Sequence, residues 1–127
     1  MRRFLRIIFF CVIPLQILSI LLGEELRIAT YNLDNYLVAD RYVDGRWRPS
    51  YPKPESEKTI IRQIIKEVSP DVLVLQEMGS VAFLEELRAD MASEGTHYDH
   101  FVHMEGADKN RYLAVLSKRA PNAVLKH

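Results

Sequence analysis

Apolar positions along the chain follow two periods that alternate. Residues 26–32 (Leu-Arg-Ile-Ala-Thr-Tyr-Asn) alternate and are rich in Ile, Leu and Tyr, the pattern of a strand. Ile60, Ile61, Ile64, Ile65 and Val68 recur at i, i+1, i+4, i+5 and i+8, which predicts an amphipathic helix over 55–68. Glu55 and Glu57 suit the positive end of that helix, and Pro70 lies just past its other end. Residues 71–76 are nearly all apolar, as a strand buried on both faces should be. A second helix is predicted over 80–93, with Val81, Leu84, Leu87 and Met91 on one face and Gly95 as its cap. Two further strands, 98–104 and 111–117, flank a polar turn at 105–110.

Strand, helix, strand is a parallel βαβ unit with a right-handed crossover. Ligands of open α/β sheets collect at the carboxyl ends of the strands. The first strand ends there at the Asn32 amide and the second at the Glu77 carboxylate. Between strand and helix, residues 33–54 form a 22-residue connection, long enough to suggest a functional or mobile loop. It interleaves Arg41, Arg46, Arg48 and Lys53 with Tyr42, Trp47 and Tyr51, a mixture suited to stacking on bases or holding phosphates. A solvated loop pinned by Trp47 and the prolines is the plainer alternative.

The length of 127 residues allows one domain at most. Seventeen Lys and Arg balance 17 Asp and Glu, but residues 1–23 hold Arg2, Arg3 and Arg6 and no acid. The rest is therefore mildly acidic, with 14 bases against 17 acids, and lacks the electrostatic footprint of a general nucleic-acid binder. Behind those arginines, residues 7–22 carry no charge, interrupted only by Pro14 and Gln16. This leader, with its membrane-seeking part at 4–23, reads as a cleaved signal peptide or an uncleaved membrane anchor, with a buried helix as third alternative. The first two place the body outside the cytoplasm, either secreted or periplasmic, or anchored. Arg2-Arg3 is out of register for a twin-arginine signal. Cys11, the sole cysteine, lies in the leader, so neither an intrachain disulfide nor a cysteine metal cluster can form.

Three segments carry a resemblance. Thr30-Tyr31-Asn32 ends the first strand, Pro70-Asp71-Val72-Leu73-Val74-Leu75-Gln76-Glu77 ends the second, and Ala114-Val115-Leu116-Ser117-Lys118 follows later. Together they resemble the endonuclease/exonuclease/phosphatase superfamily, with its deoxyribonuclease I-like fold, over residues 26–121. The resemblance implies an α/β fold: half of a four-layer α/β/β/α sandwich, at 24–127, preceded by the apolar leader helix at 1–23. It also implies a hydrolase acting on phosphate esters through a divalent metal, usually Mg2+ and alternatively Mn2+. Glu77 would ligate the metal through its carboxylate, and Asn32, beside metal and phosphate, would hold the metal or the phosphate through its amide oxygen; both would be catalytic. A hard dication takes oxygen ligands and keeps several waters, so these residue types suit it. Taken singly, an Asn past a strand is commonly an Asx turn, and a Glu ahead of a helix commonly serves the helix dipole.

The chain also departs from the family. The family domain has two similar halves, and residue 127 falls about where the second should begin. The D-x-N segment that orients water and phosphate, and the terminal Asp-His pair that supplies the base, are not at their expected places. Asp108-Lys109-Asn110 spells D-x-N but precedes the L-S-K strand, in a turn. Asp99 and His100 are strand neighbours and point to opposite faces. His97, His100 and His103 are not spaced to share a metal, and His127 has no assignable role. Arg111, with Tyr112, sits where family members often place a substrate-contacting group.

The leading expectation is thus the N-terminal half of an exported, magnesium-dependent phosphoesterase. Its substrate class is a nucleic acid, a nucleotide or a phospholipid headgroup. The alternative is a catalytically inactive, membrane-anchored or self-associating fragment, since one half of such a sandwich leaves an apolar sheet face uncovered. A nucleic-acid-binding module resting on residues 41–53 is the third reading.

Overall fold

The computed structural model describes residues 24–125. The expectations for the leader, Cys11 and His127 fall outside them. In chain order the elements are β1 (Ile28–Tyr36), β2 (Ala39–Val43), β3 (Arg46–Tyr51), α1 (Glu55–Val68), β4 (Val72–Met78), α2 (Val81–Ser93), β5 (His100–Met104) and β6 (Tyr112–Ser117). Four strands form one mixed sheet in the order β1-β4-β6-β5, and β2 and β3 form a separate hairpin. The chain is mixed α/β. β1 and β4 run parallel, as the βαβ pattern requires, and β6 runs antiparallel to both of its neighbours.

Strand pairing sorts the side chains into two faces. Ala29 lies opposite Leu73, Leu73 opposite Leu116, and Leu75 opposite Ala114. These residues point at the helices and join Ile61 and Ile65 of α1 and Leu84, Leu87 and Met91 of α2 in one core. The alternate row, Ile28, Val72, Val74, Val115 and Val102, lines the other face. β4 is therefore apolar on both sides, but neither helix covers the second side. Its expected burial on both faces holds for Leu73 and Leu75 alone; Val72 and Val74 stay half-exposed.

The stripe expected on α1 is rotated. Ile61 and Ile65 are buried, but Ile60 is 54% and Ile64 38% exposed, and Lys58 and Arg62 take the inward positions. These two cations face α2, where Lys58 pairs with Glu86 and Arg62 with Asp90 and Glu94. Ion pairs thus set the rotation of α1 against α2 where apolar periodicity alone pointed elsewhere. The helix ends as its sequence suggests: Ser69 turns left-handed at φ 46° and donates its N–H to the Ile65 carbonyl at 2.8 Å.

Two buried tyrosines differ in a testable way. Tyr98 donates its hydroxyl to the Pro70 carbonyl at 3.0 Å, and burial, reinforced by Asp71, pushes the phenol up to about 12. The folded state holds this proton more tightly than the unfolded chain does. The resulting stabilisation is complete below pH 10 and is lost as pH rises from 10 toward 12. Tyr36 is fully buried with its hydroxyl unpartnered. Tyr36→Phe should therefore raise stability by about 1 kcal/mol, because a buried polar group without a partner is a cost. Tyr98→Phe should lower stability at neutral pH and flatten its loss between pH 10 and 12. Urea midpoints at pH 8 and pH 11 check both.

Candidate functional site

The carboxyl ends of β1 and β4 are where regular pairing breaks down. Asn32 lies opposite Gln76, and the next matched pair is Tyr36 with Met78, so Leu33, Asp34 and Asn35 face Glu77 alone. On the other side of β4, Gln76 and Glu77 together face Leu113. Glu77 is thus a bulge toward both neighbours. Its φ is +57°, and Asp34 and Asn35 are left-handed as well, at 49° and 59°. Left-handed residues other than glycine are costly and cluster at functional sites. Regular alternation would send Gln76 and Glu77 to opposite faces. The bulge instead brings both into one hollow, the re-aiming of a side chain for which bulges serve.

The Glu77 carboxylate is held at both oxygens. Asn32 Nδ2 donates to Oε1 at 3.0 Å, and the Asn35 backbone N–H donates to Oε2 at 3.1 Å. Asn32 Oδ1 in turn accepts the Asp34 N–H at 2.9 Å, an Asx turn that fixes the amide. The Asn32 nitrogen, not its oxygen, therefore faces the carboxylate. Gly79 closes the end of β4 by donating its N–H to the Tyr36 carbonyl at 3.0 Å, so close that a Cβ there would lie 2.9 Å from that oxygen.

Asn32, Gln76, Glu77, Asp108, Arg111 and Tyr112 line an open hollow of about 340 Å³. The structure thus brings together all three site residues expected from the sequence, Asn32, Glu77 and Arg111. It adds Asp108, which its place ahead of the L-S-K strand had set aside. Asp108 accepts the N–H groups of Asn110 at 2.9 Å and Arg111 at 3.2 Å, and pairs with Arg111 Nε at 2.7 Å. The Asn110 N–H, with the Arg111 contacts behind it, holds the Asp108 carboxyl below the usual carboxylate range. Its work here is to steady Arg111. A short D-x-N-R turn closed on its own aspartate is a signal the sequence did carry.

The connection at 33–54 is not the long loop expected. β1 runs on to Tyr36, and Ala39–Tyr51 is a hairpin whose turn residues Asp44 and Gly45 both have positive φ, 53° and 76°. Asp-Gly between strand-forming runs is a strong hairpin signal, and it stands in the sequence. Tyr42 and Trp47 pair across the two strands and both are exposed. Arg41 and Lys53, offered by the sequence either for holding phosphates or as part of a solvated loop, hold backbone carbonyls. Arg41 binds those of Asn35, Leu37 and Tyr51, and Lys53 that of Asp34.

Of the histidines, His103 pairs with Ala114 on the helix side and bonds the Gly79 carbonyl at 2.9 Å, while His100 pairs with Ser117 on the other face. Among the described residues no group of three or more His, Cys, Asp or Glu side chains is placed to hold a metal ion. No helix among them is long and apolar enough to cross a membrane. Comparison of the chain with family models, with curated proteins and with solved structures finds no match.

Proposed function

We propose that this chain carries the cation-binding and phosphate-orienting part of a metal-dependent phosphoesterase, exported or membrane-anchored by its leader. The reading rests on one observation above the others. Glu77 is forced into a left-handed bulge that turns its carboxylate into the hollow shared with Asn32 and Arg111. The family resemblance noted in the sequence supports the same assignment.

The donor set fits a hard cation held largely by its own water. Each Glu77 oxygen accepts one hydrogen bond and keeps capacity for another contact. A single carboxylate is a sufficient first grip for Mg2+ or Mn2+, which retain waters. Bound there, the ion supplies Lewis-acid polarisation of a phosphoryl oxygen. Asn32 keeps the carboxylate oriented. Arg111, steadied by Asp108, offers a guanidinium to a phosphate oxygen, for which its fork of donors is suited. Water positioning and the general base belong, on this reading, to a second half-domain. The substrate is a phosphodiester or phosphomonoester. Hydrolysis of bis(4-nitrophenyl) phosphate by the complete protein should require Mg2+ or Mn2+ and be lost in Glu77→Ala. Equal turnover by that variant would remove Glu77 from the site.

A second reading, a self-associating body without catalysis, is favoured by the sheet face that neither helix covers. Ile28 and Leu113 are exposed on it, beside Val72, Val74, Val102 and Val115. Sedimentation of residues 24–127 is expected to show dimers or larger species. A monodisperse monomer that unfolds cooperatively would contradict that expectation.

A further inference from the structure

Lys53 is a lysine in an unusual place. It is 4% exposed, and a buried ammonium is costly unless it is well partnered. One partner is Glu57, whose carboxylate lies 2.8 Å away and is itself half in solvent. That ion pair is available to a lysine on the surface and does not require burial. The second partner does. Lys53 Nζ donates to the Asp34 carbonyl at 2.8 Å.

The Asp34 carbonyl and the Asn35 N–H are the two ends of one planar peptide unit. The Asn35 N–H is the donor that holds Glu77 Oε2 at 3.1 Å. A cation on the carbonyl end enlarges the peptide dipole and strengthens the N–H at the other end, the cooperative effect of chained hydrogen bonds in a low dielectric. The same contact restrains a peptide whose two residues are both left-handed, at φ 49° and 59°. Arg41 clamps the following peptide through the Asn35 carbonyl and also holds the Leu37 carbonyl at 2.9 Å.

We propose that Lys53 is a positioning residue for Glu77, acting through the Asp34–Asn35 peptide to orient the carboxylate toward the hollow. The assignment of Glu77 as a cation ligand comes from the proposed function; the relay from Lys53 to the carboxylate stands on its own geometry. Groups that orient a ligating carboxylate commonly change metal affinity by about 10- to 100-fold when removed.

The test uses 15N-labelled full-length protein in detergent micelles, with Lys53→Met, Lys53→Arg and Lys53→Gln. Two readouts are followed: the Asn35 amide proton resonance, and the Mn2+ dissociation constant from the spin-resonance signal of free Mn2+. In Lys53→Met the Asn35 amide should move upfield and Mn2+ binding should weaken about tenfold. Lys53→Arg, which keeps the charge and a donor, should restore both toward wild type. A folded Lys53→Met with the Asn35 amide unmoved would overturn the proposal. Should the methionine variant not fold, Lys53→Gln decides, since it keeps a donor without the charge: an intermediate shift supports the relay and no shift refutes it. If the wild-type protein binds no Mn2+, the metal reading of Glu77 fails, and the Asn35 resonance alone still decides whether Lys53 acts on the carboxylate.

Discussion

Under the proposed function, Glu77→Gly and Glu77→Ala should both lower metal-dependent hydrolysis by the complete protein by about 10²- to 10³-fold, yet differ in stability. The reason lies in the backbone. At φ +57° a Cβ crowds the following carbonyl, at a cost of about 1–2 kcal/mol that glycine does not carry. Alanine keeps the cost and glycine removes it, so the glycine variant should be the more stable of the two by about 1 kcal/mol. Thermal midpoints alongside hydrolysis rates read out both halves of the expectation. An alanine variant as stable as the glycine variant would show that the bulge is unstrained. Wild-type rates in either would show that the carboxylate is idle.

Arg62→Ala is expected to cost about 1–2 kcal/mol of folding stability, from the lost packing of its buried stem and the loss of ion pairs to acids that stay partly in solvent. Arg62 is 7% exposed and reaches three carboxylates, Glu55 at 2.8 Å, Asp90 at 3.3 Å and Glu94 at 2.7 Å. Removing the guanidinium leaves three acids that are 67%, 39% and 31% exposed without their shared cation. Arg62→Met, which keeps the packing of the stem, should recover part of the loss. The acid limb gives an independent check. Lys66 and Arg62 hold the Glu94 carboxyl below its ordinary range, so its contribution is present at neutral pH and fades as pH falls through that lowered value. In Arg62→Ala the acid-side loss should be shallower. Urea unfolding at pH 7 and pH 3.5 measures both effects.

How far the sequence reveals this molecule depends on which interactions decide each part. Hydrophobic period decides the existence of strands and helices, and all the expected ones are present within about three residues of their ends, though β1 runs on from 32 to Tyr36. The same period misplaced the buried face of α1, because Lys58 and Arg62 turn inward to acids on α2, which no local pattern encodes. At the hollow, Asn32 and Glu77 were legible as residues that stop apolar runs at strand ends. Their mutual hydrogen bond depends on the parallel register of β1 on β4 and on a bulge that breaks alternation, neither of which is written in either segment alone. Order in the chain argues against Asp108, yet antiparallel pairing of β5 with β6 carries the 105–110 turn back to the end of β4. The Asp44-Gly45 turn was legible and outweighs the loop that length alone suggested.

On the proposed function, Glu77 and its neighbours hold a divalent cation. The most direct test is a Mn2+ titration of the 15N-labelled full-length protein in micelles, followed by paramagnetic broadening of backbone amides, with Glu77→Gln beside wild type. The expected result is saturable broadening centred on Asn32, Asn35, Glu77 and Arg111, lost in Glu77→Gln. Broadening centred elsewhere, or equal in the two proteins, would contradict it.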